Sequence, residues 1–573
     1  MAGSSSSGSE RALETTVNMH RILTLACAVL LLTFLLIAPR AAQVTTERVE
    51  GGAPRTVAHP NLALFSHSEN CIGCHNNLSA PGGEDVSIGA SWRSSIMANS
   101  ARDPYWQAGV RREAIDHPMH AGAIQDECAE CHMPMATQIA RAAGGRGEVF
   151  AHLPVAGSDD PLHRLAADSV SCTVCHQISS DRLGTRESFN GEFVMRPTPP
   201  DGRRVIFGPY RIDAGRKTIM HSVSGFVQAE GAHIRESELC ATCHTLITQA
   251  FGPNGEVIGS LPEQMNDQEW QHSDFSREKR SCQSCHMPAA PGPVRSASVL
   301  GDVRSSLSRH LFVGGNAFMV RLLNRFRVEL GVDSMPAELE ATAKATIRQL
   351  QEETATVAVS APQLSGDALS FEVAVRNLAG HKFPTGYPSR RAWLHVTVKD
   401  DQGRAVFESG AINAAGAIQG NDSDTNPRTY EPHYETVTAA DQVQIYEPIL
   451  GDRAGVPTTG LLTATQYLKD NRLLPRGFDK ATADPQVGVY GRATADADFG
   501  AGGDRVRYQV PVPASGRFTV EVELRYQAIA FRWARNLDAY DAPEPKRFVQ
   551  YYEALAQESS VVVATSRTST STP

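Results

Sequence analysis

Three things are scarce in this chain of 573 residues. Positive charge is one: 54 Lys and Arg stand against 63 Asp and Glu, a net charge of −9. Nucleic-acid binding normally needs a basic balance, so that class is set aside, and long-range steering should favour basic partner surfaces. Long apolar runs are another. Residues 22–38 form the one long apolar run, so no other segment is a candidate bilayer span. Cysteine is the third: there are 11, and none follows Cys285. Thiol chemistry is therefore confined to the first half. The remaining composition, 41% hydrophobic and 20% charged, is that of a globular chain long enough for two or more domains.

Ten of the cysteines fall into five Cys-x-x-Cys-His motifs: Cys71/Cys74/His75, Cys128/Cys131/His132, Cys172/Cys175/His176, Cys240/Cys243/His244 and Cys282/Cys285/His286. With 19 histidines in the chain, a chance His after all five pairs is on the order of one in ten million, so the motif is a unit. Zinc ribbons use CxxC pairs in twos, and a thioredoxin-like dithiol needs one pair in one βαβ unit. Five pairs followed by His read as covalent c-type haem attachment. Two thiols bond one porphyrin and the next histidine lies beneath it as a ligand to iron. The expected cofactors are five c-type haems.

Residues 1–43 read as a signal peptide or N-terminal anchor. Arg21 precedes the apolar run and Ala41-Ala42-Gln43 follows it. The Ser-rich start is unlike a signal n-region, whereas Met19-His20-Arg21 is a good one, which places the true start at Met19. Cys27 lies mid-run, a poor position for lipid anchoring. Export and c-type haem agree, since haem attachment is completed outside the cytoplasmic membrane. A periplasmic or cell-surface location in a bacterium is expected, with possible anchoring through 22–38.

The expected fold is α+β and multidomain. Residues 60–315, rich in Gly, Pro, Ser and His, should be short helices and loops wrapped on haem, because they hold too few apolar side chains for a large core. The motif spacings are irregular, so this is no repeat array. Residues 316–354 read as a helical bridge. One helix has Met319, Leu322, Leu323, Phe326 and Leu330 on a stripe, capped by Asn316 and stopped by Gly331. A second runs from Pro336 to Thr354, with Ser334 or Asp333 as cap. Residues 355–556 turn to period two, at Phe371/Val373/Val375, Leu394/Val396/Val398, Val506/Tyr508/Val510 and Phe518 to Tyr526. A β-sandwich-like domain is expected there, and a disordered Ser/Thr-rich tail at 557–573.

The sixth ligand of each iron decides between electron transfer and catalysis. Thirteen histidines remain outside the motifs and the signal. His233 and His310 lead as candidates, being close to motifs four and five. His221, His152, His163, His117 and His120 are further candidates, while His67 is too close to Cys71 to reach over its own haem. Met97, in Trp92-Arg93-Ser94-Ser95-Ile96-Met97, would make a His/Met iron of raised potential, or else pack as core. His381 sits in Gly380-His381-Lys382-Phe383-Pro384, a constrained loop that can push an imidazole out of the sandwich. Asp422-x-Asp424-x-Asn426 has calcium-loop spacing but lacks the Gly and Glu such a loop needs, so an acidic turn is expected.

Three stretches carry a family resemblance: Asp168 to Ile178 with Gly208-Pro209-Tyr210, Ala232-His233-Ile234 through Thr245, and Ser281 to Pro288. Over roughly 60–315 the chain resembles multihaem c-type cytochromes of the cytochrome c-552/4-like (cytochrome c-554-like) family. The loop at Gly380–Gly386, followed by Arg390–Val398, is similar to a β domain found C-terminal to such haem regions. The resemblance implies electron transfer outside the cytoplasmic membrane, with redox proteins or a membrane donor as partners. It also implies a distal role for His233. Some relatives are enzymes on small nitrogen compounds; no Cys-x-x-Cys-Lys variant occurs here. Whether the chain is an enzyme stays uncertain at this stage. A carrier is favoured, and a multihaem oxidoreductase with one open-coordination haem acting on a small inorganic substrate is the alternative.

Overall fold

The alternating segments form two facing sheets. β1 (Ala355–Val359), β2 (Gln363–Ser365), β3 (Ala368–Asn377), β4 (Arg391–Lys399), β5 (Ala405–Ser409), β6 (Thr436–Val437), β7 (Ile445–Tyr446), β8 (Gly503–Pro511), β9 (Thr519–Gln527) and β10 (Ser560–Ser569) are its strands. One sheet runs β5-β4-β9-β10, with β7 also on β4; the other runs β6-β8-β3-β1, with β2 also on β3. Leu369, Phe371, Val373 and Val375 of β3 meet Leu394, Val396 and Val398 of β4 and Val520, Val522 and Leu524 of β9 in one core. Period-two alternation puts each of these sets on one face. β4 is buried on both faces, because Trp393 packs outward against Ile418, Val443 and Ile445.

The structure is a computed structural model describing residues 62–570. The expected signal or anchor, with Met19, Cys27 and 22–38, lies outside the described residues. No described helix is long and apolar enough to cross a membrane. The described residues form one compact unit of mixed helix and sheet, and the expected succession of haem domain, bridge and sandwich is not visible as separate bodies.

The region holding the motifs is short helices and loops with a few small sheets. Its longer helices are α1 (Pro104–Asp116), α2 (Ala121–His132) and α3 (Ala214–Ser224). Asp103 caps α1, its carboxylate accepting from the N–H groups of Tyr105 and Trp106. The bridge helices are α4 (Ala317–Arg325) and α5 (Pro336–Glu353). Asn316 caps α4 through Met319 N–H, but α4 ends at Arg325 and the chain continues as turns to Gly331 at φ 63°. Met335, not Ser334 or Asp333, is the N-cap of α5, and Glu338 accepts from Met335 N–H and Ser334 Oγ.

Two expectations fail at the C-terminus. Residues 560–569 are not a disordered tail: β10 pairs along the whole of β9, and the Ser/Thr side chains that read as low complexity alternate along an edge strand. A helix absent from the sequence reading, α6 (Pro543–Ala554), packs Phe548, Val549 and Tyr552 against Phe318, Leu322 and Leu339 of α4 and α5. It also reaches the motif region, where Arg111 of α1 holds Glu544 through two bonds of 2.8 and 2.9 Å.

Candidate haem sites

Each motif lies at the end of a short helix: Glu69–Ile72 and the turn after it, the last turn of α2, Cys172–Cys175, Glu238–His244 and Cys282–His286. One helical turn brings both thiols and the histidine to a common side. All ten cysteines are free thiols and partly buried.

Four motif histidines are fixed the same way. Nδ1 of His75 meets the Ser296 carbonyl at 2.9 Å, that of His132 the Ser100 carbonyl at 3.1 Å, that of His176 the Phe207 carbonyl at 2.5 Å and that of His286 the Val313 carbonyl at 2.5 Å. A carbonyl only accepts, so each Nδ1 carries the proton and each Nε2 keeps a lone pair. That is the second-shell arrangement of a metal-ligating imidazole. Burial holds these rings neutral, and it pushes His132 and His244 down to about 4. Trp106 lies flat on the His132 ring at 4.3 Å and 2°.

Two of these histidines face a second histidine. His176 and His310 have ring centroids 6.4 Å apart and planes within 19°; His286 and His381 are 6.2 Å apart and within 11°. An imidazole nitrogen sits about 2.0–2.1 Å from a first-row metal and about 1.1 Å ahead of its own centroid, so two imidazoles trans on one ion hold centroids about 6.3 Å apart. Both pairs leave that spacing. His310 and His381 also turn Nδ1 to a carbonyl, Ser308 at 3.3 Å and Lys382 at 2.9 Å, and burial keeps both neutral, His310 at about 3. The residues present therefore fit haem iron at these two motifs.

His381 arrives from the sandwich. Gly380 lets the loop pass close to Phe275, whose ring a Cβ there would press at 3.0 Å. The next residue, Lys382, is fully buried and anchors the loop twice. Its N–H donates to Glu269 Oε2 at 3.1 Å, and its Nζ donates to Asp470 Oδ2 at 2.7 Å. Arg472 closes the network with Nη1 on Glu269 Oε1 at 2.8 Å and a two-pronged grip on Asp470 at 2.9 and 2.7 Å. Glu269 belongs to the motif region, between motifs four and five, and the other three to the sandwich.

The remaining candidates are placed otherwise. His233 packs edge-on against Phe207, with Nε2 on the Ile178 carbonyl at 2.9 Å, rather than in ring contact with a motif histidine. His117 is engaged by Thr463 at 3.3 Å, and Glu113 lies 3.7 Å away. His120 stacks on Phe251 at 3.9 Å and meets the Gly255 carbonyl. His152 lies edge-to-face with His163 at 5.6 Å, and His163 Nε2 meets the Val155 carbonyl. His221 is on α3, which lies against the helix opening motif one. Met97 opens the helical turn Met97–Arg102, whose Ser100 carbonyl holds His132. Its own carbonyl takes Val170 N–H ahead of motif three.

The motifs touch one another out of chain order. The Cys71 thiol lies within hydrogen-bonding reach of Cys172, Cys131 of Cys243 and Cys240 of Cys282. Motif one thus meets three, two meets four and four meets five, while Cys175 feels Cys243 and links three to four. No motif is isolated. Only tertiary structure carries this order.

Two other clusters resolve as structural. His433, Asp496 and Asp504 lie close enough to suggest a metal. Gln444 and Asn471, each oriented by a backbone N–H on its oxygen, both donate to His433 Nδ1. Nε2 therefore carries the proton and donates a hydrogen bond to Asp496 at 2.9 Å, so no lone pair remains on the ring for an ion. In the calcium-like stretch, both oxygens of Asp424 are taken by the Arg391 fork at 2.8 and 2.9 Å.

No protein-family model matches the chain, and no curated protein does. Among solved structures, it is similar to a penta-heme cytochrome c552 from Thermochromatium tepidum, at 16% identity and a TM-score of 0.47, over 88% of this chain and 99% of that one.

Proposed function

We propose that the protein is a multihaem c-type cytochrome that carries electrons through five covalently bound haems outside the cytoplasmic membrane. The observation that carries this reading is the two facing histidine pairs, His176/His310 and His286/His381, each spaced so that the two rings would hold one iron between them. Haem, when bound, supplies one-electron exchange between ferric and ferrous iron. The chain's part is to hold it. Paired thiols fix each porphyrin, Nδ1 bonds to backbone carbonyls orient the imidazoles, and burial keeps them neutral. Two imidazoles on one iron leave no open position for a substrate, which favours a carrier over a catalyst at those two motifs. Thiol contacts between motifs one and three, two and four, and four and five, with Cys175 near enough to feel Cys243, bring the five attachment points into one group, as short-range transfer needs. Export follows from the covalent haem chemistry and from the apolar run 22–38.

Mass spectrometry of the holoprotein should show five haem additions, and ferric EPR should show low-spin bis-histidine signals. His310→Ala and His381→Ala should each convert one haem to high spin. A spectrum that stays wholly low-spin in both variants overturns the ligand pairs and with them this reading.

A further inference from the structure

The attachment of motif one is roofed by a turn that ends in open solvent. Ser296 holds His75 through its carbonyl, and Ser298 bonds the Cys74 carbonyl with its N–H at 2.8 Å and its hydroxyl at 3.0 Å. The chain then exposes Val299 (50%), Leu300 (61%) and Val303 (56%). Arg216 of α3 fixes this turn, its Nε on the Leu300 carbonyl at 2.8 Å and its Nη2 on Asp302 at 2.7 Å. One and two turns further along the same face of α3 stand Ile219 and Val223, also exposed. Five aliphatic side chains thus form an uncovered patch directly over one haem attachment.

The charge around the patch runs against that of the chain. Between Arg203 and Arg235 there are six basic side chains and two acidic ones, in a protein of net charge −9. Arg203, Arg211 and Arg295 are exposed, and Asp213 is already paired with Arg216. An apolar centre with a basic rim, tied to a redox-site ligand by two hydrogen-bonded residues, matches an acidic surface.

We infer that this face, built from α3 and the turn 296–304, docks a small acidic electron-transfer protein, which exchanges electrons with the chain at motif one. The inference rests on the electron-carrier reading above. One electron passes per encounter, oxidising one partner and reducing the other, with no bond made or broken.

The test is stopped-flow reduction of the ferric holoprotein by a reduced flavodoxin, an acidic one-electron donor, from low to high salt. Sodium dithionite serves as a donor that needs no docking. Wild type should react more slowly as salt rises, because attraction is screened. Arg203→Glu with Arg211→Glu should cut the low-salt rate about tenfold and remove the salt dependence. Leu300→Ser with Val303→Ser should slow the reaction at every salt concentration, and Arg404→Glu on a distant sandwich turn should do nothing. Dithionite should reduce all variants equally. A wild-type rate that rises with salt, or rates unmoved by these substitutions, overturns the docking face while leaving the carrier reading in place. A shift of haem potential with the salt dependence intact shows that the arginines serve the haem itself and also overturns it. So does a salt-sensitive dimer abolished by the same substitutions, which would give the face to a second copy. Haems that dithionite cannot reduce would sink the carrier reading as well.

Discussion

The sandwich and the motif region are cores of opposite kinds. The sandwich buries one continuous set of Val, Leu, Phe and Tyr between two sheets. The motif region divides its apolar residues among smaller clusters around Ile124, Phe65 and Val86. Between them it holds five motif histidines, none of them fully buried, and buried carboxyls such as Glu130 and Glu263, both of which burial pushes up to about 8. Apolar burial contributes about 25 cal/mol per Å², and buried polar groups cost free energy unless partnered. The sandwich can meet that balance with its own side chains. On the reading proposed above, the motif region would meet it with porphyrin.

The largest expected effect follows from that difference. Expressed without haem attachment, or with all ten motif cysteines changed to alanine, the chain should keep slow hydrogen exchange in β3, β4, β8 and β9. Exchange in residues 62–310 should become fast and proteolysis there rapid. If both regions lose protection together, the sandwich is not self-sufficient and the contrast fails.

How much of this could be read beforehand differs between the same two regions. Period two exposes the sandwich strands because one side chain in two faces the core. β10 escaped because its outward Ser and Thr outnumber the buried positions. The attachment residues are legible because the chemistry is local, all within five consecutive residues. The histidines that face motif rings are not local. His310 lies 134 residues from His176 and His381 lies 95 from His286, so nearness in sequence does not tell which motif a histidine faces. Nothing in sequence marks the carbonyls of Ser100, Phe207, Ser296 and Val313 either, since every residue has one. His381 was visible as a loop histidine, but its mooring through Glu269 needed the tertiary fold.

That mooring is where the two regions join, and breaking it should cost next most. Glu269→Ala removes the acceptor shared by Lys382 N–H, the Thr385 hydroxyl and Arg472. Cutting a buried ionic network by one partner destabilises by about 3–5 kcal/mol. The same variant should turn the haem of motif five high-spin. His381→Ala should give that spectrum with a much smaller loss in denaturant melts. A Glu269→Ala protein that stays low-spin would mean that the loop is held from the sandwich side alone. Gly380→Ala should be milder, at about 1–3 kcal/mol for pressing a Cβ onto Phe275, with a broadened low-spin EPR signal as the readout.

The smallest effect lies inside the sandwich and distinguishes its buried polar cluster from the haem histidines. Burial pushes Asp504 up to about 7, and it pushes His433 down to about 4. A carboxyl raised in the fold binds its proton more tightly there than in the unfolded chain, so Asp504 makes stability fall as pH climbs from about 4 to 7. A lowered histidine works in reverse, and His433 makes stability fall as pH drops from about 6.5 through 4. The Asp496 carboxyl, held down by the His433 N–H, adds to the acid-side loss. Between pH 4 and 6.5 the two groups oppose each other, each at no more than about 1.4 kcal/mol per pH unit, and the wild-type sandwich should be nearly flat. Asp504→Asn keeps the Tyr446 and Gln444 contacts within reach of an amide oxygen but removes one slope, so hydrogen-exchange protection factors in β8 should fall on acidification from pH 6.5 to 4. His433→Gln should do the opposite and raise protection factors over the same range. Identical pH profiles for the two variants would show that neither group titrates in the folded protein, and the cluster would then owe its burial to hydrogen bonding alone.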